Sequence, residues 1–130
     1  MNAQLASPDR IADLGVVGAG GGGFPTHLKL NVPVPVVIAN AAECEPLLHK
    51  DKEILWHQLD AVLRGLASLM ECVHSTDGVI GIKAKHRELI EYLSARLPDR
   101  VRIFELTDTY PAGDEFVLVH DVVGRVIPPG

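Results

Sequence analysis

Apolar positions change their period repeatedly along this chain, and each change marks an element. Residues 34–39 (VPVVIA) form a short β-branched run ending at Asn40, which predicts a buried strand with a loop beyond it. Pro33 and Pro35 carry no backbone donor and suit the start of that strand or a sheet edge. From Asp51 the spacing becomes helical: Ile54, Leu55, Leu59, Val62, Leu63, Leu66 and Met70 share one face, with Asp51 and Glu53 near the positive end. Residues 75–78 (STDG) break that helix, and 79–82 (VIGI) read as a second buried strand. A second amphipathic helix runs through Leu89, Ile90, Leu93 and Leu97 and closes at Pro98. Residues 101–106 (VRIFEL) give a third strand, and a helix from Glu115 to Val123 stops at Gly124 before Pro128 and Pro129.

Strands separated by helices imply parallel pairing. The predicted fold class is therefore α/β: a small, open, mainly parallel sheet with helices on both faces. Ligands of such sheets sit outside the carboxyl ends of the strands. Here those ends lead into residues 40–46 (NAAECEP) and 107–115 (TDTYPAGDE), both acidic.

Upstream lies a glycine run, with five of the six residues from Gly18 to Gly23 being glycine, continuing into Phe24 and Lys29. Backbone N–H groups of such a run can line a concavity for an anion, with a lysine adding full charge, as in a phosphate cradle. A flexible linker is the plainer reading, but a linker mixes in serine and other polar residues. Gly18, Gly20 and Gly23 also match the dinucleotide fingerprint, with Glu43 and Glu45 downstream. That fingerprint needs a strand before the loop and a long helix after it. Residues 14–17 (LGVV) make a poor strand, 7–13 read as a helical turn with proline at its first position, and little more than a turn of helix fits before Pro33. The ordinary Rossmann reading fails on context.

Composition narrows the partners. The chain has 130 residues, 47% hydrophobic, with 12 basic against 17 acidic side chains and a net charge of −5. Such a chain suits one domain, and it shows no basic stripe for nucleic acid, no membrane-span run and no signal peptide. Cys44 and Cys72 match no metal spacing. The expected location is cytoplasmic. Taken singly, each loop acid reads more readily as a solvated charge than as a functional group, Asn40 reads also as a turn residue, and Tyr110 equally well as the half-buried edge of a core. Their shared place at one sheet rim favours a site.

Residues 18–30 (GAGGGGFPTHLKL), 40–48 (NAAECEPLL) and 110–115 (YPAGDE) resemble the flavin domain of the Rnf complex C subunit and, more closely, PduS-type cobalamin reductases. Both are similar to the FMN- and NADH-binding subunit of respiratory complex I. The resemblance runs from about residue 15 to 130, behind a lead-in helix in 1–14. It implies FMN as noncovalent cofactor, with Gly18, Gly20, Gly21 and Gly23 around its phosphate and Lys29, Asn40, Glu43, Glu45, Tyr110 and Gly113 completing the cofactor site. NADH is the implied substrate, near Phe24, Glu45, Asp114 and Glu115, giving hydride to the flavin, which passes electrons to an iron–sulfur or cobalamin acceptor. No metal ligand is implied.

Two positions depart from the family pattern: Gly22 stands where alanine is common, and Ala19 replaces the arginine of the complex I version. Family proteins continue into domains with cysteine-rich iron–sulfur motifs, so the expectation is an isolated domain or truncated product whose cluster belongs to an absent domain or partner. The cytoplasmic face of a membrane complex and a bacterial microcompartment both fit this resemblance. The alternative function is a non-catalytic nucleotide- or partner-binding module that keeps the fold without a stable flavin.

Overall fold

A computed structural model describes residues 7–18 and 22–128. Gly20 and Gly21, two expected cradle residues, lie outside the described residues, as does Ala19. Three strands, β1 (Val36–Ala41), β2 (Asp77–Lys83) and β3 (Val101–Leu106), form a parallel sheet in the order β1-β2-β3. Register pairs Ile38 with Val79 and Ala41 with Ile82, then Ile80 with Ile103 and Lys83 with Leu106.

Parallel strands need helical crossovers, and alternation along each strand divides the side chains between two covered faces. On one face Val37, Ala39, Ile80, Ile82, Val101 and Ile103 meet the apolar sides of α3 (Lys50–His57), α4 (Leu59–Cys72) and α5 (Arg87–Ser94). On the other, Ile38, Phe104 and Leu106 meet Leu118 and Val122 of α6 (Glu115–Val123). Central β2 is buried along nearly its whole length. Its Gly81 admits α6, because a Cβ there would lie 2.9 Å from Leu118 Cδ1.

The amino-terminal segment packs separately. Helix α1 (Pro8–Asp13) begins with Ser7 accepting from the Arg10 N–H at 3.2 Å and has proline in its first turn, as the sequence predicts. Ile11 joins Leu30, Val73 and Val34 in a third small core. Between α1 and the four-residue α2 (Thr26–Lys29), Val17 makes one isolated antiparallel bridge to Pro25. The weak strand expected at 14–17 is thus a single bridge, and the short α2 fits the rejection of an ordinary Rossmann loop.

Several boundaries differ from expectation: β2 begins at Asp77, inside the expected 75–78 break, and α5 ends at Ser94 rather than running through Leu97. The long helix from Asp51 breaks at Gln58, giving α3 and α4. A continuous helix over 50–72 would extend about 35 Å, against roughly 20 Å for a six-residue strand. The break lets α4 follow the sheet through Leu59, Leu66 and Met70, while the more polar α3 lies against α4 and α5. Strand β1 also begins and ends two residues later than the hydrophobic run suggests. Asn40 and Ala41 remain in register with Gly81 and Ile82, so Asn40 belongs to the strand rather than to the loop.

Candidate functional site

The carboxyl ends of β1 and β3 open into a cleft of about 380 Å³. That volume lies in the range of small-molecule pockets. Asn40, near the end of β1, and Glu43 and Glu45, in the loop after it, line one side, and Tyr110, Gly113 and Asp114 line the other from the loop after β3. The structure thus brings together six residues that sequence reasoning assigned to two separate motifs. Glu115 follows as the first residue of α6.

Gly113 joins the two loops. Asn40 Nδ2 donates to the Gly113 carbonyl at 2.8 Å, while Asn40 Oδ1 accepts from the Ala42 N–H at 3.1 Å. The Gly113 N–H donates to Cys44 Sγ at 3.1 Å. A Cβ on Gly113 would stand 3.0 Å from that sulfur and 3.1 Å from Ala42 Cβ, so only glycine fits without displacement. Next to it, Asp114 caps α6 by accepting from the N–H groups of Phe116 and Val117 at 3.0 and 3.3 Å. Asn40 therefore commits its amide to the protein, and Asp114 commits one carboxylate oxygen to the helix.

Glu43 has a different environment. Its Oε1 accepts from the Asp51 N–H at 3.3 Å, while Oε2 is buried with no partner, alone in this among side-chain atoms of the described residues. Its backbone φ is +33°, in the left-handed region that bulky residues seldom occupy. An unpartnered buried acceptor suits a ligand N–H or O–H. Tyr110, by contrast, is 83% exposed, so it stands at the rim and is not the half-buried core edge that was one reading of the sequence.

Sequence reasoning missed Cys44, Leu48, Lys50, Asp51 and Pro111 as lining residues. Cys44 lies between two assigned acids, which was a usable signal; Asp51 and Lys50 reach the cleft because α3 starts beside it. Four carboxylates, Glu43, Glu45, Asp51 and Asp114, share the lining with a single ammonium, Lys50. The hydrogen bond from Lys50 to Asp51 raises the lysine pKa above its ordinary value, with Glu43 and Glu45 adding to it.

Beside the cleft, Asp108 receives Lys85 at 2.8 Å and the almost fully buried Lys83 at 3.4 Å. These ammonium groups hold its carboxyl below the usual aspartate value, Lys85 most strongly. Burial, together with Lys52 and Lys85, lowers the pKa of His86.

The residues on either side of the glycine run pair through their backbones. Gly18 N–H donates to the Phe24 carbonyl at 2.9 Å, and Thr26 N–H to the Val16 carbonyl at 3.2 Å. Gly23 has φ +60°, Phe24 is half exposed, and Lys29 Nζ lies 5.2 Å from the Phe24 ring centroid. Phe24 and Lys29 thus meet each other, and among the described residues neither they nor Gly18 and Gly23 line the cleft at Gly113.

Residues 11–130 match the family described as the Nuo51 FMN-binding domain. The chain is 43% identical over 121 residues to the cobalamin reductase PduS of Salmonella typhimurium, covering 93% of this chain and 27% of that protein. It is 36% identical over 126 residues to the C subunit of the Na⁺-translocating ferredoxin:NAD⁺ oxidoreductase complex of Acetobacterium woodii, covering 92% and 28% respectively. Among solved structures, an NAD⁺-reducing [NiFe]-hydrogenase in its H₂-reduced state superposes with a TM-score of 0.76 at 26% identity, over 95% of this chain and 26% of that one. The chain spans about a quarter of the length of these proteins. With the motifs, the parallel sheet and the strand-end cleft in agreement, the chain belongs to the Nuo51-type FMN-binding domain family, whose relatives here are oxidoreductases.

Proposed function

We propose that this domain binds FMN, takes hydride from NADH, and delivers electrons to an iron–sulfur or cobalamin acceptor in another domain or protein. One observation carries the reading: two segments, locked together at Gly113, border an acidic cleft lined by Glu43, whose Oε2 is buried without a partner. When bound, FMN supplies a carrier that accepts electrons in pairs and releases them singly.

The donor set fits that cofactor in a divided way. Carboxylates lining the cleft would accept from ribityl hydroxyls or the ring imide and would repel a dianionic phosphate. The glycine run, whose Gly18 N–H is already taken by Phe24, would offer its remaining N–H groups, and Lys29 a positive charge, so the phosphate is assigned there. Glu43 would hold an N–H or O–H donor at Oε2, and Tyr110 would cover the ligand from the rim. Phe24 supplies an exposed aromatic face for the nicotinamide nucleotide, while Glu45, Asp114 and Glu115 offer acceptors for its ribose hydroxyls. The relatives' names, a cobalamin reductase and a component of a ferredoxin:NAD⁺ oxidoreductase, support the electron-transfer assignment.

Fluorescence titration of the purified chain with FMN, followed by anaerobic addition of NADH, tests this reading. Saturable one-to-one quenching and subsequent bleaching of the flavin band are expected. A folded chain that leaves FMN fluorescence unchanged would overturn it and favour a binding module without flavin.

A further inference from the structure

We infer that Cys44 is a positioning residue, whose sulfur sets the spacing between the two loops that form the cleft. Its thiol is half buried between Glu43 and Glu45 and accepts the Gly113 N–H at 3.1 Å. The carbonyl of the same glycine is held by Asn40 at 2.8 Å. Both backbone polar groups of Gly113 are therefore satisfied by side chains from the end of β1 and the loop after it. Losing either partner leaves a partly buried group unpaired.

Contact adds to the hydrogen bond. Sγ would lie only 3.0 Å from a Cβ built on Gly113, so the sulfur and the bare Cα are close-packed. The size of the sulfur, not only its lone pair, fixes how near the loops come. Gly113 precedes Asp114, which caps α6, and Glu115, which opens it, so Cys44 also fixes where these two acids stand. A metal role is a poor alternative: among the described residues no group of three or more His, Cys, Asp or Glu side chains could hold an ion. Cys72, at the end of α4, borders a different hollow and serves as the control.

The ligand-directed half of this inference rests on the FMN reading; the loop contact does not. Amide exchange at Gly113, followed by NMR in the ligand-free chain, tests the contact alone. Cys44→Ala should speed that exchange about tenfold, and Cys44→Ser, which restores an acceptor, should recover most of the protection. In FMN titrations Cys44→Ala should raise the Kd about tenfold, with Cys44→Ser between it and the parent, because its smaller oxygen restores the acceptor but not the contact, and Cys72→Ala unchanged. Unaltered Gly113 exchange in Cys44→Ala would overturn the contact. Faster exchange with parent-like FMN affinity would overturn the positioning role. A folded parent that binds no FMN would instead refute the flavin reading, with the exchange comparison still deciding whether Cys44 holds the loops together.

Discussion

Glu43 carries two local costs, a left-handed backbone and a buried carboxylate oxygen without a partner. Each is worth roughly 1–3 kcal/mol, and neither is offset by a contact to Oε2 among the described residues. Such costs persist where a ligand recovers them. Glu43→Gln keeps the acceptor toward the Asp51 N–H and removes the charge. It should leave urea stability within about 1 kcal/mol of the parent while weakening FMN about tenfold. Parent-like affinity would show that Oε2 faces no ligand donor. Gly113→Ala belongs to the same scale but acts sterically. Pushing a Cβ against Cys44 and Ala42 should cost about 1–3 kcal/mol in urea unfolding and weaken FMN as well. Lys29→Ala should weaken FMN more than riboflavin if the ammonium serves the phosphate; equal losses would place it by the ring.

Among the elements, helix α6 ties the sheet to the site, because Asp114 begins it and Leu118 seats it over Gly81. Gly81→Val should lift α6 from the sheet, lowering stability by about 1–3 kcal/mol and loosening the Gly113 loop, as read by urea unfolding and Gly113 amide exchange. Much of this architecture was legible in the sequence. The run VRIFEL became β3 with the expected limits, and Asp114 with Gly124 bounded α6. Asn40 misled because a polar side chain closing an apolar run resembles a loop residue, whereas strand register and the bond to Gly113 keep it in β1. The break at Gln58 has no glycine or proline to announce it and follows from the length of the sheet. Of the cleft lining, Glu43, Glu45, Asp114 and Gly113 were legible through their motifs, whereas Asp51 was not. The place of Cys44 between two assigned acids could have marked it as a lining residue, but its bond to a glycine 69 residues away has no local pattern.

At the scale of the whole molecule, titration couples the strand-end rim to stability. Both Asp108 and His86 have folded-state pKa values below their ordinary ones. In each case the unfolded chain binds the proton more readily, so stability is present above the unfolded pKa and falls as pH drops toward the folded one. For His86 the loss begins below about pH 6.5, and for Asp108 below about pH 3.9. His86→Gln should flatten the first part of a melting-temperature profile. Asp108→Asn should lower stability at neutral pH, by stripping Lys83 and Lys85 of their shared partner, and flatten the acid limb. A profile identical to the parent in both variants would mean that neither group is linked to folding.

The most direct test of the FMN site is its location, mapped by amide chemical-shift changes on titrating FMN into the isotope-labelled chain. Changes should concentrate at Glu43, Cys44, Glu45 and Gly113, in the Asn40 side-chain amide, and at Gly18 and Gly23 of the glycine loop. Saturable changes confined to the opposite sheet edge, around Val36, Arg102 and Val122, or no changes in a folded chain, would contradict the assignment of the strand-end cleft.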